Sequence, residues 1–117
     1  MDEEAIRDIF REAGAIRLRR MFGGLGIYRD DLMFALESGG ELYLKVDDAT
    51  VELFRNLGSG PFTYMGRNGK TMTMSYWRLP ESALDDPDEA ARLADLAIAA
   101  AYRAKAGKPD AKTKMRR

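Results

Sequence analysis

The side chains that carry most enzyme chemistry are scarce in this sequence. It contains no histidine and no cysteine, so imidazole bases, thiolate nucleophiles and the usual ligands of zinc and copper are missing. Two aspartate clusters remain, Asp47-Asp48 and Asp85-Asp86 with Asp88. Each cluster stands at the start of an expected helix, where aspartates cap free backbone N–H groups, and neither has the spacing of a calcium-binding loop. We therefore predict a protein that is not an enzyme and that holds no metal and no cofactor.

Three closely spaced glycines, Gly23, Gly24 and Gly26, form the other pattern with chemical potential. A glycine-rich loop cradles a phosphate when a helix begins directly after it. Here the glycines lead into Ile27 and Tyr28, which are typical of a strand, and no Lys-Ser/Thr pair follows. Glycine inside a strand indicates a bulge, a sharp bend or a close backbone approach. We expect a bend with an architectural role.

Arginines and aromatic residues near strand ends are the candidates for a binding surface. Exposed Trp, Tyr and Arg contribute most to binding hot spots, because they bury a large area and keep a polar group. The candidate partner-binding residues are Arg20, Lys45, Trp77 and Arg78. Two other interpretations stay open, namely a buried Trp77 with solvated arginines, and a pocket for a small ligand.

The last strand gives a specific expectation for Trp77 and its neighbour Tyr76. Successive side chains of a strand point to opposite faces. Tyr76 shares its face with Met72 and Met74, which stand at every second position before it, and Trp77 shares the other face with Thr73 and Ser75. We therefore expect Tyr76 in the core, and Trp77 on the other face, partly exposed and within an interface.

The charges are unevenly distributed, although the 19 basic and 19 acidic residues cancel. The first 102 residues are acidic overall, and the residues from Arg103 onward are strongly basic. The candidate contacts for nucleic acid are Lys108, Lys112, Lys114, Arg116 and Arg117. Such contact would be electrostatic and weakly specific, because this segment has no aromatic ring to stack on bases. A solvated end without a binding role is the other interpretation.

Length and composition predict one domain, at residues 1–107, followed by a basic disordered tail at 108–117. No apolar run approaches the roughly 20 residues of a membrane span, and the acidic N-terminus does not resemble a signal peptide. The lack of cysteine gives no indication of an oxidising compartment. We expect a cytoplasmic protein with no membrane contact.

Hydrophobic periodicity predicts the elements that must position these residues. The expected order begins with a helix at 3–13, capped by Asp2, and four strands at 16–19, 25–29, 32–37 and 41–46. A helix from Asp47 to Leu57 follows, which buries Val51, Phe54 and Leu57. The chain then forms a hairpin of strands 62–65 and 70–77 that turns at Asn68-Gly69, and a last helix at 86–107 that Gly107 and Pro109 end. This is an α+β fold with two layers, in which helices pack on an antiparallel sheet, approximately α-β(3–4)-α-β(2)-α. The open edges of such a sheet predict a homodimer.

Five sequence blocks carry a resemblance to a known family. They are Arg20-Met21-Phe22-Gly23-Gly24, Gly26-Ile27-Tyr28, Leu42-Tyr43-Leu44-Lys45, Pro61-Phe62-Thr63-Tyr64 and Met74-Ser75-Tyr76-Trp77-Arg78-Leu79-Pro80. Their order resembles that of the TfoX/Sxy N-terminal domain family, and the resemblance covers residues 5–105. It implies a two-layer domain similar in topology to secretion-chaperone-like folds, and relatives that regulate competence genes in bacteria.

The resemblance also shapes the functional expectation. Full-length competence regulators carry a second, helical domain of helix-hairpin-helix type, which this sequence does not include, and the family motif contains no known catalytic constellation. We therefore expect a small non-enzymatic regulatory module that binds a protein partner. A weakly specific nucleic-acid-binding protein and a small-ligand-binding domain are the alternatives.

Overall fold

The computed structural model describes the backbone of residues 1–21, 23–65 and 71–113, and the side chains of that part except at 64, 65, 71–74 and 108–113. The elements are α1 (Glu3–Ile9), β1 (Arg17–Met21), β2 (Gly24–Arg29), β3 (Leu32–Ser38), β4 (Glu41–Lys45), α2 (Val51–Asn56), β5 (Pro61–Met65), β6 (Thr71–Arg78), α3 (Glu81–Leu84) and α4 (Pro87–Thr113). Within the described chain, the strands form one open antiparallel sheet in the order β1-β2-β3-β4-β6-β5. This confirms the predicted α+β class.

The helices pack on one face of the sheet because each presents an apolar side. Ile6 of α1 and Phe10, which caps its C-terminal end, are buried, and the rings of Phe10 and Phe34 meet edge to face at a centroid distance of 5.8 Å. Side chains from α1 to α4 and from β2, β3 and β4 join in one core cluster. In α4 the buried residues facing the sheet are mostly alanines, so this helix backbone can lie close to the strands.

Strand β4 shows the predicted alternation. Leu42 and Leu44 are buried in the core, whereas Glu41 is exposed and Tyr43 and Lys45 are half-buried. Side chains that pair directly across an antiparallel ladder share a face. The pairing of Leu44 with Ala35 and of Leu42 with Glu37 therefore extends the helix-covered face into β3.

A bulge in β3 lets two consecutive side chains enter the core. Ile27 pairs with Ala35 and Tyr28 pairs with Met33, which leaves Phe34 as the extra residue. An inserted residue of this kind bends the strand and redirects a side chain. As a result Phe34 and Ala35 are both fully buried in the core cluster.

The glycines lie where β1 turns into β2, and they confirm the expected bend. Met21 pairs with Gly24, so the two strands form a tight hairpin, and Gly23 has a φ of 79°. A Cβ atom at Gly24 would lie only 2.1 Å from the backbone oxygen of Glu37. The glycine is therefore required by the close approach of β3.

Helix α1 begins as predicted and ends earlier. The Asp2 side chain accepts a hydrogen bond from the Ala5 N–H at 2.9 Å, which confirms the cap. The helix ends at Ile9 rather than at residue 13. The backbone oxygen of Ala13 accepts a hydrogen bond from the Arg29 guanidinium, so a residue of β2 fixes this turn.

The helices after β4 differ from the predictions in four ways. Helix α2 begins at Val51, after the N-cap residue Thr50, rather than at Asp47. In α2, Phe54 is buried, but Leu57 follows the last helical turn and is 40% exposed. The short helix α3 was not predicted. Helix α4 runs to Thr113, past Gly107 and Pro109, so residues 108–113 are helical where a disordered tail was expected. The predicted Asn68-Gly69 turn and residues 114–117 lie outside the described residues.

Candidate functional site

The register of β6 against β4 corrects the predicted orientation of Trp77 and Tyr76. Trp77 pairs with the core residue Leu44, so its half-buried side chain packs against the core on the helix-covered face. The guanidinium of Arg55 lies 5.3 Å from the centre of the Trp77 ring. Tyr76 pairs with Lys45 and lies on the opposite face, yet it is buried. The predicted burial of Tyr76 and partial exposure of Trp77 are thus confirmed, but each side chain lies on the face opposite to the one expected. The interface at Trp77 stays a prediction, and the side chains of residues 71–74 lie outside the described residues.

The four candidate partner-binding residues do not form one site. Lys45 and Arg78 lie on the face opposite the helices, whereas Trp77 lies on the helix-covered face. Arg20 pairs with the core residue Leu25 and therefore also lies on the helix-covered face, in β1. Four strand steps separate β1 from β6, which corresponds to about 19 Å.

Arg20 lines a cavity of about 350 Å³ between the start of α1 and the β1–β2 hairpin. The buried carboxylate of Glu37 also lines it, and it accepts a hydrogen bond from the Gly40 N–H at 3.0 Å. The Met1 ammonium group lies 3.5 Å from the same carboxylate. The carboxylate is thus already paired with groups of its own chain.

Among the candidate nucleic-acid contacts, Lys108 and Lys112 belong to the last turns of α4, and Lys114, Arg116 and Arg117 lie outside the described residues. Before them, Arg103 makes a two-point contact with Asp47, with N–O distances of 2.6 and 3.0 Å. The hydrogen bonds from Arg103 hold the pKa of the Asp47 carboxyl below its ordinary value, against the opposing effect of burial. This contact attaches α4 to the segment after β4.

The sheet face opposite the helices carries a continuous line of paired residues. Successive pairings join Arg19 to Gly26, Gly26 to Leu36, Leu36 to Tyr43, and Tyr43 to Arg78. We call these five residues the cross-strand row. It has an exposed arginine at each end and a half-buried tyrosine and a buried leucine in between. The described helices contribute to the core on the other face.

Neighbouring side chains fill the space above Gly26. A Cβ atom there would lie 2.7 Å from the Met21 sulfur and 3.1 Å from both the Met33 sulfur and a ring carbon of Tyr28. The glycine therefore leaves room for two thioethers and a ring. Flexible thioethers adapt to irregular neighbours, so this part of the face is apolar and adjustable.

The other aromatic rings on this face are held by neighbours. The ring of Tyr43 lies 4.7 Å from that of Phe62, centre to centre. The Lys45 ammonium group lies 5.3 Å from the Tyr76 ring, and the Tyr76 hydroxyl is 3.5 Å from the Met33 carbonyl oxygen. Burial, assisted by nearby Tyr28, raises the pKa of Tyr76 to about 12.

The ends of the row are positively charged. Among the described side chains, no carboxylate forms an ion pair with Arg19 or Arg78, whereas Arg17 pairs with Asp31 at 3.0 Å. Burial raises the pKa of Tyr43, and the Glu41 carboxylate adds to this, while Arg78 acts in the opposite direction. Two cations, a protonated tyrosine and apolar side chains can bind a ligand, but they do not form an acid–base pair for catalysis.

Of the cross-strand row, sequence reasoning singled out Arg78 and did not name Arg19, Leu36 or Tyr43; Lys45 lies on the same face but outside the row. The residues of the row lie side by side because of the register between neighbouring strands, which cannot be read from the sequence of one strand. No group of acidic side chains suited to a metal ion occurs among the described residues. Likewise, no helix in the described part is long and apolar enough to cross a membrane.

Comparison with known proteins gives consistent results. The chain matches the family model of the TfoX N-terminal domain over residues 8–101. It is similar to Protein Sxy of Escherichia coli (strain K12), with 30% identity over 92 residues, which is 79% of this chain and 44% of that protein. It is also similar to DNA transformation protein TfoX1 of Aliivibrio fischeri (strain ATCC 700601 / ES114), with 29% identity over 79 residues, or 68% of this chain and 37% of that protein. The chain thus spans less than half the length of these curated relatives.

Proposed function

The chain belongs to the TfoX N-terminal domain family, and we propose that it is a non-enzymatic regulatory module that acts by binding another protein. One of its relatives is named a DNA transformation protein. We assign the module to the same process, the regulation of DNA uptake, in the bacterial cytoplasm. The lack of histidine and cysteine supports a binding role rather than a catalytic one.

The single observation that carries the binding role is the cross-strand row. It places two exposed arginines around Leu36 and Tyr43, on the face opposite the helix-covered core. Arginine and tyrosine are the residue types that contribute most to protein interfaces.

Two matched variants test this function. The row variant combines Arg19→Glu with Arg78→Glu, and the helix control combines Arg92→Glu with Lys105→Glu at exposed positions of α4. Both change the net charge equally. Each variant replaces the chromosomal gene in the source bacterium, and the frequency of transformation is measured beside wild type and a gene deletion.

We expect the row variant to transform like the deletion strain and the helix control to transform like wild type. In parallel, tagged wild-type protein captures its partner from a nuclease-treated lysate, and the purified partner is titrated against each variant. A partner that binds the row variant as tightly as wild type would contradict the assignment of the row. A partner that is captured from an untreated lysate but not from the nuclease-treated one would contradict binding to a protein.

A further inference from the structure

We propose that the cross-strand row binds an acidic, extended segment of the partner, which crosses the strands from Arg19 to Arg78. This inference rests on the proposed function and names the chemistry of the partner. The two arginines lie four strand steps apart, or about 19 Å, which an extended chain covers with about six residues. The segment would therefore carry acidic groups at its two ends and apolar residues in its middle.

The ends of the row suit carboxylates. Several surface arginines are already matched, as in the pairs Arg11–Asp8 at 2.8 Å and Arg17–Asp31 at 3.0 Å. Arg19 and Arg78 are exposed and form no such ion pair among the described residues. A guanidinium group binds a carboxylate with two parallel hydrogen bonds, which fixes both position and direction.

The middle of the row suits apolar side chains. Leu36 itself is only 8% exposed, so the accessible apolar surface here is that of the half-buried Met21 and Met33, whose thioethers lie over Gly26 beside it. Met side chains rearrange to fit different apolar partners. Next to Arg78, the Tyr43 hydroxyl is protonated at neutral pH, as an ordinary tyrosine is, and burial raises its pKa further. It can therefore donate a hydrogen bond to an acidic group of the segment.

The charge distribution favours a short acidic segment over a nucleic acid. Among the described side chains, the helical segments 2–12, 47–56 and 81–107 hold fourteen acidic and six basic groups, whereas the strand segments 17–45 and 61–78 hold six basic and four acidic ones. A long polyanion bound along the row would also come near the acidic helical layer, which would repel it. In addition, the rings of Tyr28 and Tyr76 are each covered by a cation, at 6.0 and 5.3 Å, so they are not free to stack on bases.

The test uses synthetic probes of known composition. One fluorescent peptide carries acidic pairs about six residues apart, separated by leucine and serine. A second peptide of the same composition has all its acidic residues adjacent, and the third probe is a single-stranded oligothymidylate of similar charge. Fluorescence anisotropy gives the affinity of each probe for wild type, for the row variant and for the helix control.

We expect the spaced peptide to bind wild type and the helix control equally, and the row variant about tenfold more weakly or worse. The adjacent-charge peptide should bind several-fold more weakly than the spaced one, which a diffuse electrostatic attraction would not produce. Both substitutions are at exposed positions and should leave the fold intact, which circular dichroism verifies. The neutral pair Arg19→Gln and Arg78→Gln provides a milder variant.

Four outcomes would overturn the inference. The first three are equal binding of the two peptides, unchanged binding of the spaced peptide to the row variant, and row-dependent binding of the oligothymidylate alone. The third would identify a single-stranded nucleic-acid surface. In the fourth, none of the peptides binds while the captured protein partner still depends on the row; the proposed function then stands and only the acidic segment is wrong.

Discussion

At the scale of single residues, Gly24 and Gly26 have different neighbours and therefore different tolerance to substitution. The Cβ position of Gly24 meets a backbone oxygen, that of Glu37, which belongs to a paired strand and cannot move independently. The Cβ position of Gly26 meets the ends of flexible side chains, Met21 and Met33 among them. The first glycine is thus fixed by backbone packing, and the second by the side chains that fill the face.

Gly24→Ala should lower the free energy of unfolding by about 3 kcal/mol, at the upper end of overpacking costs. Gly60→Ala is the matched control, because a Cβ atom there meets nothing within 4 Å, and its effect should stay within about 1 kcal/mol. Urea denaturation of both variants measures the difference. Equal stability of the two variants would mean that β2 and β3 can move apart to admit the Cβ atom without a loss of folding free energy.

Trp77 is a core-facing residue, so its truncation should affect stability. Its half-buried ring packs against the core and under the Arg55 guanidinium. Trp77→Ala should cost about 2–3 kcal/mol, below the range for fully buried aromatic residues, and Trp77→Phe should cost less. Denaturant unfolding checks both values. Unchanged stability of Trp77→Ala together with lost association would restore the interface interpretation.

At the scale of elements, the sequence predicts strands and helices well and their relative placement poorly. The alternation in β4 identified Leu42 and Leu44 as core residues, because apolar and polar residues alternate in a strand that buries one face. The same alternation in β6 did not tell which face was which, so Trp77 was assigned to the wrong one. The β1–β2 register, which the sequence alone does not show, places Arg20 on the helix-covered face and Arg19 on the opposite face.

Helix α4 joins the segment after β4 through the Asp47–Arg103 pair, which gives a pH-dependent contribution. The pKa of Asp47 is lowered from its ordinary value of 3.8, so the pair stabilises the fold above that pH and loses its effect as the pH falls through the lowered pKa. Asp47→Asn should therefore lower the melting temperature at pH 7, and this difference from wild type should shrink as the pH falls below about 4.

The control for this prediction is Asp48→Asn, which removes a neighbouring exposed charge. It should shift the melting temperature little at either pH. Thermal melts followed by circular dichroism at several pH values provide the measurement. A difference between Asp47→Asn and wild type that is constant with pH would assign the effect to the turn after β4 rather than to the ion pair.

At the scale of the whole molecule, the charges are arranged in layers, with an acidic helical side and a more basic sheet side. The C-terminal part of α4 adds further basic residues, from Arg103 onward. This arrangement makes the molecule electrically asymmetric, because the helical side attracts positive charges and the sheet side attracts negative ones. The sheet side is thereby oriented toward acidic partners during encounter.

Removal of residues 108–117 separates the basic end of the chain from its body. Among the side chains of α4 that the structure describes, those up to residue 107, the last buried one is Ala101, so we expect the melting temperature to change little. Any retention of the protein on DNA should be lost, and the log–log salt slope due to the five removed basic residues should be no steeper than about −4.5. DNA binding that survives the truncation would place the nucleic-acid contact on the folded body.

The sheet ends in open edge strands at β1 and β5, which can pair with a second copy. We expect a homodimer, seen by light scattering as a mass of about 26 kDa, twice that of the 13.1 kDa chain. The truncated protein without 108–117 serves as the control and should give a dimer as well. A constant monomer mass from micromolar to millimolar concentration would rule the dimer out.

The bulge at Phe34 has a consequence for how this domain tolerates changes in length. In a regular strand, deletion of one residue moves all later side chains to the opposite face. In β3 the bulge already contributes the odd residue, so deletion of Phe34 would leave Met33 and Leu36 on the faces they occupy now. The cost would be the loss of one core ring, the one that meets Phe10. Aligned relatives should therefore place a single-residue gap in this strand at Phe34 and at no neighbouring position.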